Sequence, residues 1–424
     1  MLATLVLAAL AAPQSTAPQG LEGLVATLEE RTAKRRKAAR DAWVQHKDAF
    51  LLMPTRASLE PLEAAAPEIQ DPALEHLQAW LDGPREGRSP VEALLLLLGR
   101  TMDGGGADRL VALLDRLPDS PAELRATALR QAVERGGLLA RQAARERLND
   151  ASDALRHAAV ESLLLYAPLA EAAALAARYD PSGLDADRLG EVLSLLAERP
   201  FEEGQLVLDG AWFEHGGEDY RAGLVRLLRA YPQEAGESFL VARATTPGLS
   251  TDARSEALQA FVAGARAYRW RDGERDLQSY FRDEPRSPST EAVAWALWKL
   301  ENATAKKFLL DELEDQLKDT PDDWRVRMRL ARRQVNLDDH ADAYRNFRRV
   351  VDTLDDGLAA RRLDAEDWFY ASRAAAGARR GREAGEWLQM TGWTPARLAP
   401  YRELPEFADY LDKEPFKRLF AEGQ

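Results

Sequence analysis

The chain has 424 residues, of which Ala (74) and Leu (64) supply about a third, whereas Ile occurs once and Val 17 times. Strands draw on β-branched residues and helices on Ala, Leu, Glu and Arg, so this balance argues against a large β-sheet and predicts an all-α fold. Lys and Arg number 57 against 70 Asp and Glu, a net charge of −13, which argues against a nucleic-acid binder, because such binding rests on neutralising phosphates.

The first segment is the apolar run Met1–Ala12, MLATLVLAALAA. Twelve residues are too few to span ~30 Å of hydrocarbon as a helix, but they match the core of a signal peptide. Ala9-Leu10-Ala11 has the small-x-small spacing of a cleavage site, and a Pro/Gln/Ser stretch follows over 13–20. An exported protein is the expectation; against it, no Lys or Arg precedes the run, and a packed N-terminal helix in a cytoplasmic protein is the alternative. The absence of cysteine closes disulfide and thiolate chemistry and leaves the compartment open. No other run is apolar and long enough to span a bilayer, so no transmembrane segment is expected.

Leu21–Leu52 reads as one long helix, with Leu21, Leu24, Val25, Leu28, Ala39 and Trp43 spaced for one face. Its basic run Arg31–Lys37 could meet anionic lipid or an acidic partner, but the interleaved Glu22, Glu29, Glu30, Asp41 and Asp48 favour a solvated face. Prolines at 54, 61 and 67 then precede a short helix over 72–81. Residues 21–88 are expected to cap the first of a series of repeats.

The repeat is carried by arginines. Arg125, Arg156, Arg188, Arg221 and Arg254 follow one another at steps of 31, 32, 33 and 33 residues. Four residues past each comes Leu129, Val160, Val192, Val225 or Leu258, and seven past comes Ala132, Leu163, Leu195, Leu228 or Phe261. Offsets of four and seven lie on one helical face. An acid precedes each anchor: Glu123, Asp153, Asp187, Asp219 and Asp252. Second helices are expected over 138–148, 169–179, 201–213 and 234–243, with turns at Gly136-Gly137, Pro168, Pro200 and Pro232. Two-helix units of this length cannot bury their own apolar faces and must stack.

The order aliphatic–Asp–Arg, clearest in Asp153-Ala-Leu-Arg156-His-Ala-Ala-Val160, resembles the HEAT-repeat signature over residues 89–285. The resemblance implies an α-solenoid with a ladder of Asp–Arg pairs between neighbouring repeats, here Asp153/Arg156, Asp219/Arg221 and Asp252/Arg254, and a substantially buried Arg156 guanidinium. The third unit departs from its neighbours: Glu191 replaces a small or aliphatic residue, and Gly204 and Gly210 interrupt its second helix, so looser packing or a bend is expected there. Gly104-Gly105-Gly106 lacks the Lys-Ser/Thr and the strand of a phosphate loop and reads as a turn between helices.

After Glu284 the pattern changes. Trp324, Leu330-Ala331, a turn near 338–340, Ala343 and Phe347 resemble a tetratricopeptide repeat, and Trp368, Ala371, Ala384 and Leu388 a weaker copy of it. Residues 286–424 are therefore expected to form TPR-like hairpins with a closing C-terminal segment. In that family one stripe of the first helix lines a peptide groove, which places Arg325, Met328, Arg332, Val335 and Asn336 as the candidate binding residues. A clamp on a carboxylate by Arg325 and Arg332 is one reading of them; solvation and pairing with nearby acids is the other.

Catalytic and metal chemistry find no motif. The five histidines His46, His76, His157, His215 and His340 have no metal-binding spacing, although Glu214, Glu218 and Asp219 leave a weak cation site at His215 open. No nucleophile elbow occurs, and no cofactor is expected. The reading is a non-enzymatic scaffold that binds a protein or peptide along a concave solenoid surface, with a solenoid-based lyase- or glycosylase-like enzyme as the alternative. N-terminal sequencing of protein recovered from an exporting host is expected to start near Ala12. Recovery of intact Met1 from the envelope fraction would exclude cleavage.

Overall fold

The computed structural model describes residues 21–84, 89–118, 123–214, 216–354 and 356–420, and all regular structure among them is helical. The Met1–Ala12 run lies outside the described residues. The chain forms two compact units, Met1–Leu224 and Val225–Gln424, which divide within a helix and within the 89–285 segment. The first unit opens with α1 (Leu21–Leu52), α2 (Arg56–Glu63) and α3 (Gln70–Asp82). Three hairpins follow: α4 (Val91–Thr101) with α5 (Gly104–Ala112), α6 (Glu123–Glu134) with α7 (Leu138–Glu146), and α8 (Asp153–Tyr166) with α9 (Leu169–Ala176). Next come α10 (Ala186–Leu196), the single turn α11 (Ala211–Glu214) and α12 (Glu218–Ala230), in which the division falls.

The second unit continues with α13 (Glu237–Thr245) and the pairs α14 (Thr251–Tyr268) with α15 (Arg271–Asp283) and α16 (Pro288–Trp298) with α17 (Ala303–Asp319). It is completed by α18 (Trp324–Asn336) with α19 (His340–Leu354), α20 (Asp356–Arg362), α21 (Ala365–Gly377) with α22 (Gly381–Met390), and the short α23 (Pro395–Leu398) and α24 (Phe416–Leu419). Successive hairpins pack first helix on first and second on second: α4 on α6, α6 on α8, α8 on α10 and α5 on α7, then α13 on α15 and α14 on α16. Leu129, Val160, Val192, Leu258, Leu163 and Phe261, the aliphatic and aromatic seam of the arginine repeat, are all buried. Leu195 departs from the seam and is exposed, since no second helix forms over 201–210 to cover it.

α1, α2 and α3 all pack against α4. Only the C-terminal half of α1 takes part, however. Ala39, Trp43 and Phe50 are buried, whereas every residue over 28–38 is exposed and Val25 and Leu28 are 44% and 47% accessible. The glycine run 104–106 begins α5, with Asp103 as its N-cap accepting from Gly106 N at 2.9 Å. That bond, opposed by burial, holds the Asp103 carboxyl below its ordinary range.

The hairpin turns share one backbone device. Two or three residues after the ends of α6, α16, α18 and α21 a residue takes positive φ: Gly136, Glu301, Asp338 and Arg379. The next N–H reaches back five residues, from Gly137 to Ala132 O at 3.4 Å, Asn302 to Leu297 O at 3.2 Å, Asp339 to Gln334 O at 2.8 Å and Arg380 to Ala375 O at 2.8 Å. This is the Schellman arrangement, which satisfies carbonyls the helix leaves open. Three of the four turns place a residue with a side chain where glycine is favoured, at a cost of about 1 kcal/mol or more each.

The acid–arginine ladder is replaced by arginine-to-carbonyl bonds. Arg125 donates through Nε to Leu117 O at 2.9 Å and through Nη2 to Asp115 O at 3.1 Å. Arg254, 3% exposed, donates to Ala244 O and, at 3.0 Å, to Thr246 O, leaving Asp252 aside. Arg156 is half-buried, and donates to Asp150 O at 3.1 Å and, within its own helix, to the exposed Asp153 Oδ1 at 2.5 Å. Arg221 is exposed. A true ladder exists one turn further on. Glu161 of α8 takes Arg188 Nε of α10 at 2.8 Å and Arg130 Nε of α6 at 2.9 Å, so one carboxylate ties three consecutive first helices. Burial draws the Arg130 guanidinium below its ordinary pKa in spite of Glu161.

The third repeat corrects the expectation of a second helix over 201–213. Gly204 adopts φ +73°, residues 205–210 run without helix, and only Ala211–Glu214 winds. Packing there is not loose. Trp212 is fully buried and donates through Nε1 to Ala176 O at 2.9 Å, and the buried Tyr220 hydroxyl donates to Trp212 O at 2.7 Å. Beside it α10 and α12 cross at backbone contact, where a Cβ at Gly223 would stand 2.2 Å from Gly190 O. Gly223→Ala is therefore expected to lower stability by about 1–3 kcal/mol in denaturant unfolding, although alanine is the better helix former. Gly210→Ala, with nothing within 4 Å of its Cβ, should stay within about 0.5 kcal/mol of wild type. Equal midpoints for the two variants would refute the close crossing.

Candidate anion-binding cup

The stripe expected to line a peptide groove is split by the fold. α18 packs against α17, α19 and α21, and this leaves it only a narrow exposed strip. Met328 and Val335 are buried in the core with Ala343, Phe347 and Trp368, so they cannot face an open groove. Arg325 and Asn336 are exposed, with Arg325 over the Trp324 ring at 5.0 Å. Arg332 turns to α21 instead: its Nη2 is 2.6 Å from Asp367 Oδ1 and 3.3 Å from Asp364 Oδ1, and its guanidinium lies over Tyr370 at 5.5 Å. The two arginines do not form a clamp. Leu330 and Ala331 face the interior as expected.

A cluster of cations lies elsewhere, at the turns α14–α15 and α16–α17. Arg266, Arg269, Arg271, Arg275 and Lys299 line an open cavity of about 730 Å³ together with Glu274, Gln278, Glu301 and Asn302. The α14–α15 turn is held rigidly. Trp270 is buried against Gly264, where a Cβ would come within 2.0 Å of its ring, and packs on Phe261 with ring centroids 5.6 Å apart. The Tyr268 hydroxyl donates to Pro232 O at 3.1 Å, and Gly273 N donates to Glu237 Oε1 at 2.6 Å. Between these anchors Arg269 sits in the left-handed region at φ 56°.

The second wall is the turn after α16, where Glu301 has positive φ and Asn302 caps α17 through Ala305 N at 3.0 Å. Arg266 joins the walls by donating to Lys299 O at 3.1 Å. Arg275 is neutralised by Asp272. Arg269, Arg271 and Lys299 have no acidic partner among the described residues, and all three are exposed. Fixed backbone, fork-shaped donors and open access suit a carboxylate or another oxyanion. The signal in the sequence was the run Arg266–Arg275, four arginines in ten residues, with Lys299 one repeat later.

No group of three or more His, Asp or Glu side chains that could hold a metal ion occurs among the described residues, and His215 lies outside them. His157, next to Arg156, places Nε2 2.6 Å from Gly183 O and so braces a turn. Arg332→Ala should cost about 1–3 kcal/mol of stability, because it strips the mostly buried Asp367 of its partner. Arg325→Ala should change stability by less than about 0.5 kcal/mol. Thermal or denaturant unfolding of the two single variants checks the contrast. No family model matches this chain, and no curated protein matches it.

Proposed function

We propose that the chain is a non-enzymatic binding scaffold, a solenoid of HEAT-like and TPR-like hairpins that holds a partner protein or peptide, and that the cup receives an acidic segment of that partner. The observation that supports it is the set Arg269, Arg271 and Lys299, three cations without an acidic partner among the described residues, in a chain of net charge −13. In so acidic a chain, with acids to spare for pairing them, cations left open to solvent are available to a ligand. Arginine on a braced turn loses little freedom on binding, which favours a planar carboxylate over a diffuse counterion. Chemistry at the cup is not part of the reading, since binding by charge and shape needs no nucleophile or base.

The reading is tested with a glutamate-rich peptide and a lysine-rich peptide of the same length, titrated into the full chain by calorimetry. The acidic peptide is expected to bind, with affinity falling as salt rises. Arg269→Glu/Arg271→Glu should weaken it by about tenfold or more while circular dichroism stays unchanged. Equal affinity of wild type and double variant, or no preference for the acidic peptide, would overturn the assignment.

A further inference from the structure

The N-terminal half of α1 is a free-standing basic helix. From Val25 to Ala38, about 21 Å of helix, every residue is exposed except the half-buried Thr27. This stretch carries Arg31, Lys34, Arg35, Arg36 and Lys37 against Glu29 and Glu30, a net charge of +3 in an acidic protein. Arg35 approaches Glu68 only at 4.0 Å, and Arg31, Lys34, Arg36 and Lys37 have no acidic partner among the described residues.

The stripe by which α1 packs on the array does not end where the array ends. Leu28 lies eleven residues before the buried Ala39, and Thr32 eleven before the buried Trp43, three turns in each case; Val25 lies eighteen, or five turns, before Trp43. Val25 and Leu28 thus continue the buried face into solvent, along an open groove whose lining mixes Arg36, Lys37 and Arg40 with the acids Glu29, Asp41, Glu68 and Asp71. At 100° per residue Arg35 and Arg36 border the stripe on either side.

We propose that this half-helix is a docking surface for an anionic lipid bilayer. Seating Val25 and Leu28 at the level of the acyl chains would leave both bordering guanidinia at headgroup depth, the arrangement of an interfacial helix. Lys34 and Lys37, about 150° from the stripe and so on the opposite face of the helix, add only long-range attraction to a negative surface. A rigid acidic protein would meet one side of such a helix, whereas headgroups rearrange around cations on several sides. A second copy would set +3 against +3.

The test is co-sedimentation of the full chain with vesicles of phosphatidylcholine alone and with one-third phosphatidylglycerol. Binding is expected only to the anionic vesicles, and raising salt from about 0.1 M to about 0.5 M should abolish most of it. Lys34→Glu/Lys37→Glu, and separately Leu28→Asp, should each lower the bound fraction by about tenfold or more with unchanged circular dichroism. Equal binding to neutral vesicles, no binding to either, or full binding by both variants would overturn the proposal. So would a concentration-dependent dimer, seen by analytical ultracentrifugation, that Leu28→Asp converts to monomer, since a second copy would then own the stripe. The cup variant Arg269→Glu/Arg271→Glu should bind vesicles as wild type does, which separates this surface from the cup.

Discussion

Every helix end leaves up to four backbone groups without an intrahelical partner, and a chain folded into short hairpins meets that problem at each turn. Much of this protein is organised around supplying those partners from neighbouring hairpins. Arg135 reaches Gly99 O on the preceding first helix, Arg199 reaches Leu164 O and, at 2.6 Å, Ala167 O, and Arg266 reaches Lys299 O on the following one. Acids do the converse work at N-termini: Asp108 accepts from Leu139 N at 2.8 Å and Glu237 from Gly273 N at 2.6 Å. Cations at C-terminal carbonyls and carboxylates at N-terminal amides also match the helix dipole. Arginine accounts for 48 of the 57 cationic residues, the other nine being lysine. A planar fork with several donors can satisfy two carbonyls at once, which an ammonium does less well.

These bonds bridge elements some 30 residues apart, so they also set the register in which one hairpin stacks on the next. Glu161 does the same with charge, holding Arg130 and Arg188 of the adjoining first helices. Where the second helix is lost after α10, other devices take over. Trp212 supplies the donor for Ala176 O, and the glycines at 190 and 223 let two helix backbones touch. A repeat that has lost half its hairpin therefore keeps its place in the stack. The cup has the same origin: its two walls are hairpin turns braced from within, and the arginines not drawn into bracing them are left facing solvent.

The repeat seam, the first helices and most second helices were legible because they rest on local spacing. Offsets of four and seven name a helical face whatever the neighbours are. The anchor arginines were legible as positions, but their partners were not. Arg254 stands two residues from Asp252 in the sequence and bonds instead to carbonyls eight and ten residues back. The stripe on α18 failed for a related reason. Met328 and Val335 share a helical face with Arg325 and Arg332, yet three helices converge on α18 and bury the apolar members of that face. The four arginines between 266 and 275 carry only a weak signal, because the interleaved Asp272 and Glu274 give the run the pattern of an ordinary solvated face.

Composition and periodicity by themselves determined that this is an all-α protein built from stacked hairpins, and roughly where each turn falls, since helix propensity and apolar spacing act within a few residues. Which charges are used internally and which are left over was decided only by the tertiary structure. Pairing depends on the rise and rotation from one hairpin to the next, and no spacing along the chain encodes whether a guanidinium meets a carbonyl, a carboxylate or water. That is why Arg332 is spent on Asp367 while Arg269, Arg271 and Lys299 remain open.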